Sequence, residues 1–217
     1  LNEMFIRSKF HFGIADEREL ADKMIDAVAQ DVYYKDEPQI WIFDRGFPSL
    51  SLIQKLLEHR LYFVMRVSSS FLKEVNAFRK SKYVDRVIHI EYSEHRATQN
   101  HVHSDGISQF DLRCVRVKLP SGEDEILVTN LDRKDFPKRD IKEIYRLRWG
   151  IETGFNYLKN AVFVEEFVSK TENGLAQDYF VSLLVYNFAT CICGSMYPNI
   201  PKKENTSTRS IEELPPD

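Results

Sequence analysis

Apolar and polar residues alternate along this chain with two different periods, which predicts a mixed α/β fold. Apolar runs of strand length lie at Met4–Phe12, Ile40–Phe43 and Leu61–Val67. Between them, residues 16–29 begin with acidic side chains and continue with apolar ones at helical spacing, and residues 50–59 follow a Pro-Ser pair that commonly begins a helix. The order strand, helix, strand, helix, strand is typical of an α/β sheet.

The chain becomes richer in short β runs after the third predicted strand. Tyr83–Tyr92, Phe110–Leu119 and Glu125–Thr129 are predicted strands, and the sequence Pro120–Glu123 favours a hairpin turn between the last two. We interpret residues 68–130 as a β-rich insertion.

A long apolar helix is predicted at about Asn173–Tyr197, after a short extended segment at Val162–Ser169. The helix is long enough to raise the question of a membrane span. Gln177, Asp178 and Asn187 lie within it, and one flank lacks basic residues, so a packed core helix is favoured and no membrane partner is expected.

These elements predict four parts of the chain. Residues 1–67 form an incomplete N-terminal part of the core, residues 68–130 the β-rich insertion, and residues 131–197 the C-terminal helical part. Residues 198–217 are rich in Pro, Lys, Glu, Ser and Thr, which predicts a disordered tail. The first residue is Leu1 and not Met, which suggests a fragment or a trimmed product.

Polar residues in the C-terminal helical part recur at spacings that one α-helix would gather into a stripe. Taking Tyr145 as the origin and about 100° per residue, Arg148, Glu152 and Lys159 all fall within about 60° of one another and of Tyr145. Apolar positions border this stripe, so a carboxylate flanked by cations is expected at the edge of a core. An ordinary helix with salt bridges such as Arg148 with Glu152 is the alternative.

A second candidate carboxylate follows Ile40–Phe43, whose four apolar residues predict a buried central strand. Asp44 comes directly after this run, and Gly46 gives the backbone room to turn. Functional sites of α/β sheets gather at strand ends, which favours a site role for Asp44. The alternative is that Asp44 only braces the turn.

Composition excludes few function classes. The 217 residues are 43% hydrophobic and carry a net charge of −3, as in an ordinary globular protein. Six basic residues against three acidic ones lie within Lys138–Lys159, so positive charge is concentrated near the predicted stripe and could bind phosphates. The three cysteines and the absence of a secretory signal suggest a reducing cytoplasm.

The predicted insertion contains further polar residues with ordinary explanations. Its four histidines lack the spacing and the cysteine partners of a zinc site, and exposed loops explain them; they are His89, His95, His101 and His103. Arg113, Arg116 and Lys118 alternate along a strand and could contact a DNA backbone, although a solvated strand face explains them equally well.

The order Tyr145, two residues, Arg148, three residues, Glu152, six residues, Lys159 resembles the YREK signature of the DDE transposases of the insertion-sequence-4 family. The hexapeptide Asp44–Ser49 resembles the motif around the second catalytic aspartate of that family. The resemblance covers most of the chain, and it implies an RNase H-like mixed sheet with flanking helices.

The resemblance also implies an activity. In this family two Asp and one Glu hold two divalent ions, Mg²⁺ or Mn²⁺, for phosphodiester cleavage and strand transfer at transposon ends. Asp44 and Glu152 would be two of the catalytic metal ligands, and Tyr145, Arg148 and Lys159 would contact DNA. The expected partners are double-stranded transposon ends and, in the full-length protein, a second copy in a homodimer on DNA, in the bacterial cytoplasm near the nucleoid.

One expected carboxylate is missing. The first aspartate of the family lies on a strand upstream of Met4–Phe12, and Glu3 and Asp16 are poor substitutes. A truncated, non-catalytic transposase remnant that binds DNA ends is therefore the alternative function. Another RNase H-like nuclease is a second alternative, but the Tyr and Lys of the signature have no required place there.

Overall fold

The computed structural model describes residues 4–11, 16–34, 36–91, 109–118, 122–161 and 169–196. These residues form two compact units. The first, which we call the sheet unit, lies within Glu17–Arg148, and the second, the helical unit, combines residues within Leu1–Asp16 and Trp149–Ser207.

The sheet unit contains five strands and four helices among the described residues. In chain order they are α1 Glu17–Ala29, β1 Ile40–Phe43, α2 Leu50–Glu58, β2 Tyr62–Arg66, α3 Lys73–Lys80, β3 Asp85–Glu91, β4 Gln109–Lys118, β5 Asp124–Thr129 and α4 Lys138–Arg146. The strand order is β1-β2-β5-β4-β3. Only β1 and β2 pair in parallel among these strands, and the other neighbours are antiparallel. The mixed α/β prediction is confirmed.

The core lies on both faces of this sheet because successive strand residues point to opposite sides. Phe63 and Met65 of β2 pack into the larger cluster, with side chains from α1, α2 and α3. Val64, between them, packs into the second cluster with Ile141 of α4. Helices therefore cover both faces, and β2 is buried from both sides.

Strand β1 forms where its apolar run predicts, but its place in the sheet differs from the prediction. It pairs with β2 from Ile40 opposite Tyr62 to Phe43 opposite Met65, and it lies at an edge of the described sheet and not at its centre. Only Phe43 of the four residues is buried. An apolar run predicts burial, whereas the number of neighbouring strands depends on distant parts of the chain.

The three strands predicted within 68–130 are present, but they continue the same sheet. Strand β5 pairs with β2 from Val64 opposite Thr129 to Arg66 opposite Leu127. The only pairing partners of β4 in the described sheet are β3 and β5. The described strands of this segment thus share a core with the residues before it. Helix α3 was not predicted from the sequence.

The helical unit consists of α5 Trp149–Ala161, α6 Glu172–Met196 and the segment 4–11. The prediction of a strand at Met4–Phe12 is wrong for its described residues, which form no strand. The backbone of Phe5 is bonded to a side chain instead: its N–H donates to Asn187 Oδ1 (2.8 Å), and its carbonyl accepts from Asn187 Nδ2 (2.7 Å). The Phe5 ring packs edge-on against Tyr186.

The long apolar helix is confirmed as α6. None of the helices in the described part of the chain combines the length and apolar character needed to cross a membrane. The predicted extended segment before α6, apart from Ser169, lies outside the described residues, as do the predicted tail at 198–217 and His95, His101 and His103.

Candidate functional site

Asp44 lies at the carboxyl end of β1, in a turn that leads to α2. Its Oδ1 accepts a hydrogen bond from its neighbour's backbone, Arg45 N–H (2.7 Å), and its carbonyl accepts one from Phe47 N–H (3.1 Å). Ser49 then caps α2 by accepting from the backbone N–H of Leu52. The Asp44 side chain stays 44% exposed, so its carboxylate is both positioned by the turn and open to a ligand.

Three basic or hydroxyl side chains gather around this carboxylate. The Tyr145 hydroxyl of α4 donates to Asp44 Oδ1 at 3.3 Å. Arg148 Nη1 lies 3.7 Å from Oδ2, and Arg66 Nη1 lies 3.9 Å from Oδ1. The structure therefore brings together three of the predicted site residues, Asp44, Tyr145 and Arg148.

Tyr145 is held in its protonated form. Burial raises the pKa of Tyr145 to about 12, and the negative charge of Asp44 acts in the same direction, while Arg148 and Arg66 oppose it. At neutral pH the hydroxyl thus remains a hydrogen-bond donor to Asp44.

Arg66 is a site residue that the sequence analysis missed. It is the last residue of β2, and besides Asp44 it pairs with Glu125 of β5, at 2.7 Å from Nη2 to Oε1. Because β1 and β2 are parallel neighbours, their carboxyl ends meet at one edge of the sheet. The same reasoning that selected Asp44 could have selected Arg66.

The prediction of one continuous helix through the YREK-like residues is wrong. Helix α4 ends at Arg146, Leu147 and Arg148 form a turn, and α5 begins at Trp149. The backbone N–H of Arg148 bonds to Tyr145, three residues before it, as in a tightened last turn. A single helical wheel therefore does not apply across the break, and Leu147, expected in the core, is 62% exposed.

Glu152 and Lys159 lie in the helical unit, in the first and last turns of α5. Glu152 is half-buried and Lys159 is exposed. An acid at a helix start and a base at its end also complement the helix dipole, which is a structural role for both residues. The expected approach of Glu152 to Asp44 stays a prediction.

The carboxylate at the site fits a metal in kind. The carboxylate oxygens of Asp44 are the hard ligands that Mg²⁺ prefers. Among the described residues, however, no three His, Cys, Asp or Glu side chains come together as ligands of one ion. Asp44 is instead surrounded by cationic and hydroxyl groups.

Two of the arginines considered as DNA contacts have structural roles. Arg113 is 3% exposed, and it pairs with Asp85 and donates to the carbonyls of Leu131, Asp132 and Phe136. Arg116 pairs with Asp124 and donates to carbonyls at the end of α3. Lys118 is exposed. His89 is also exposed and pairs with Asp111.

Comparisons with known proteins agree with the resemblance at the level of the family. A profile of the family described as Transposase DDE domain matches residues 1–188. A protein of Sinorhizobium fredii named as the transposase y4zB is 27% identical over 148 residues, which cover 67% of this chain and 40% of that protein. A protein of Geobacillus stearothermophilus named as a transposase for insertion sequence element IS5377 is 22% identical over 180 residues, which cover 80% of this chain and 43% of that protein.

The chain spans about two-fifths of the length of these curated relatives, at 40% and 43%. The family match, by contrast, extends over residues 1–188 of the 217 and includes Asp44, Tyr145, Arg148, Glu152 and Lys159. This chain therefore belongs to the transposase DDE domain family.

Proposed function

We propose that this chain is part of a DNA transposase, in which it binds transposon-end DNA and contributes to metal-dependent phosphodiester cleavage and strand transfer. The observation that carries the proposal is the cluster around Asp44. A carboxylate at a strand end contacts a hydroxyl donor 101 positions later in the chain and two guanidinium groups. These are the groups that would hold a hard cation and a phosphate side by side.

Each residue has a proposed role that follows from its chemistry. Asp44 and Glu152 would be ligands of Mg²⁺ or Mn²⁺, which when bound supplies Lewis-acid activation of the phosphodiester. Arg148 would bind a phosphate through its planar fork, and Lys159 would add a point charge. Arg148 Nη1 and Asp44 Oδ2 are 3.7 Å apart, which is longer than a hydrogen bond. The two charges therefore attract each other without fixing the orientation of the Arg148 guanidinium. The finer resemblance to the insertion-sequence-4 family and its RNase H-like fold also favours a homodimer on paired DNA ends.

DNA binding tests the first half of this proposal. The 217-residue chain is titrated onto a fluorescent duplex across a series of salt concentrations, with the variants Arg148→Ala, Lys159→Ala and, as a control, Lys118→Ala. Each lost phosphate contact should lower the slope of log K against log salt by about one. Lys118, an exposed lysine of β4, was also considered as a DNA contact, so its variant keeps the parent slope only where the DNA contacts are confined to the proposed site. Unchanged slopes for both Arg148→Ala and Lys159→Ala would show that these residues are structural.

A DNA-binding protein without cleavage activity is the second candidate function. It is favoured by the two guanidinium groups beside Asp44, which suit a phosphate whether or not a metal is bound. Nicking of supercoiled plasmid with Mg²⁺ distinguishes the two, with Asp44→Asn and Glu152→Gln as matched controls that remove one charge each. Nicking that both substitutions abolish supports the catalytic proposal. Binding without any nicking by the parent chain supports the second candidate.

A further inference from the structure

Helix α4 carries a basic face next to the site residue Tyr145. Its four basic residues are all exposed; they are Lys138, Arg139, Lys142 and Arg146. At about 100° per residue these four fall within about 100° of one another, and the acids Asp140 and Glu143 fall outside that sector. The helical wheel applies here because α4 is one unbroken helix from Lys138 to Arg146.

Two lysines of this face have no partner in the described ranges of the chain. The arginines each pair with an acid of the same helix, at 3.3 Å and 2.8 Å; the pairs are Arg139 with Asp140 and Arg146 with Glu143. The ammonium groups of Lys138 and Lys142, by contrast, make no ion pair or hydrogen bond with any described residue. These two lysines, which we call the lysine row, therefore present their charges to solvent and to an external ligand.

The lysine row lies on the side of α4 that leads to the candidate site. Tyr145 comes seven positions after Lys138 and three after Lys142, so the three side chains fall within about 60° on the helix. At about 1.5 Å of rise per residue, Lys142 lies about 4.5 Å and Lys138 about 10 Å from Tyr145 along the axis. The Tyr145 hydroxyl donates to Asp44 Oδ1 at 3.3 Å. The row therefore runs along α4 toward Asp44.

The acids near this end of the row are already engaged. Asp44 and Glu125 are the two acids whose charges act on Tyr145. Glu125 pairs with Arg66 at 2.7 Å, and Asp44 faces both Arg66 and Arg148. Neither acid pairs with the lysine row, so the positive charge of the row is not neutralised by them.

We propose that the lysine row binds two phosphates of a duplex DNA backbone that continues from the candidate site along α4. Lysine suits this role because its ammonium is a compact charge on a flexible stem, which can follow phosphates without a fixed geometry. The whole chain has a net charge of −3, so a local basic face is where a polyanion would bind. This inference rests on the proposed function, and it adds phosphate contacts beyond those proposed for Arg148 and Lys159.

Salt-dependent DNA binding tests the lysine row. The 217-residue chain and the variants Lys138→Gln and Lys142→Gln are titrated onto a fluorescent duplex across a series of salt concentrations. Each variant should lower the slope of log K against log salt by about one, so its loss of affinity should grow about tenfold for each tenfold decrease in salt. Both lysines are exposed, so the midpoint of thermal unfolding should stay that of the parent.

Lys80→Gln is the matched control. Lys80 is an exposed lysine of α3 without a side-chain partner in the described ranges. Helix α3 packs into the larger cluster, on the face of the sheet opposite to α4. The variant removes the same charge and should keep the parent slope. An equal decrease in Lys80→Gln, or the parent slope in both lysine-row variants, would overturn the proposal.

The double variant Lys142→Gln/Arg148→Ala tests whether the row contacts phosphates of its own. It should lower the slope by about one more than Arg148→Ala does. No further decrease would mean that Lys142 and Arg148 share one phosphate, and it would overturn the continuation along α4.

The same titrations separate this inference from the proposed function. If the lysine-row variants lower the slope while Arg148→Ala and Lys159→Ala do not, the row stands and the phosphate roles proposed for Arg148 and Lys159 fail. If the parent chain binds no duplex at all, both the lysine row and the proposed DNA binding are overturned.

Discussion

The sheet unit and the helical unit hold the predicted site residues that each contains in different ways. Around Asp44, the sheet unit packs large, fully buried side chains on both faces of its sheet, Phe63 and Leu127 among them. The buried cluster described in the helical unit has three members, Leu158, Leu183 and Tyr186.

The helical unit also leaves apolar side chains exposed. Helix α6 exposes a row of apolar side chains, namely Val181, Leu184, Val185, Phe188 and Ile192, each at least 43% exposed. The geometry of Asp44 and Tyr145 is thus fixed by the core of their own unit, whereas Glu152 lies in the first turn of α5, in the unit whose described buried cluster has three members. The comparison teaches that Asp44 and Tyr145 are preorganised by the packing of the sheet unit, whereas Glu152 belongs to a unit with fewer described buried side chains.

The largest effect should come from removing core volume in the sheet unit. Phe63→Ala should lower the free energy of unfolding by about 4 kcal/mol, because Phe63 is fully buried in the larger cluster. Leu158→Ala, in the three-member cluster, should cost about 2 kcal/mol, because its open surroundings can collapse. Urea unfolding measures both. Equal costs for the two substitutions would contradict the difference in packing.

Replacing a buried polar residue should lower the free energy of unfolding nearly as much. Arg113→Met should lower the free energy of unfolding by about 3 kcal/mol, because it removes the main partner of the largely buried Asp85 and leaves backbone carbonyls unbonded. Lys118→Met, on the same strand but exposed, should stay within about 0.5 kcal/mol of the parent. Denaturant titration measures both free energies of unfolding. A small effect of Arg113→Met would contradict its structural role and make Arg113 a candidate DNA contact again.

A smaller, pH-dependent effect is expected from Asp85. Burial alone would raise the pKa of Asp85, but hydrogen bonds and charges from Arg113 and Arg133 outweigh it and lower that pKa below the ordinary value. Asp85 therefore contributes stability that is fully present above the unfolded pKa of about 3.9 and is lost as the pH falls through the lower folded value. Unfolding measured from pH 6 to pH 2 should show a weaker loss below about pH 4 in Asp85→Asn than in the parent.

The smallest effects should appear at the site itself. Tyr145→Phe removes one 3.3 Å hydrogen bond to a carboxylate, which should cost about 1 kcal/mol. Glu152→Gln, in the first turn of α5, should cost about 0.5 kcal/mol through the helix dipole. Thermal unfolding of both variants measures these values. A cost of several kcal/mol for Glu152→Gln would show that Glu152 has a structural role beyond its helix.

The sequence by itself determined the elements that local chemistry controls. Four apolar residues predicted β1 at Ile40–Phe43, and acidic residues before an apolar face predicted the helix that became α1, Glu17–Ala29. It also placed Asp44 at a strand end, where the structure has it, whereas the catalytic and DNA-binding roles of Asp44, Tyr145 and Arg148 stay predictions. Strand and helix periods and strand-end carboxylates can be recognised within a few neighbouring residues.

Only the tertiary structure decided features that depend on distant residues. The Met4–Phe12 pattern has the alternation of a strand, but its described residues form none, and the backbone of Phe5 bonds to Asn187, 182 positions away. The burial of Arg113 and the pairing of Arg66 with Asp44 and Glu125 depend on which strands become neighbours. The break at Leu147 and Arg148 places Arg148 beside Asp44 in the sheet unit, where a helical wheel predicted an unbroken stripe. Long-range pairing and packing, which no local pattern encodes, set these positions.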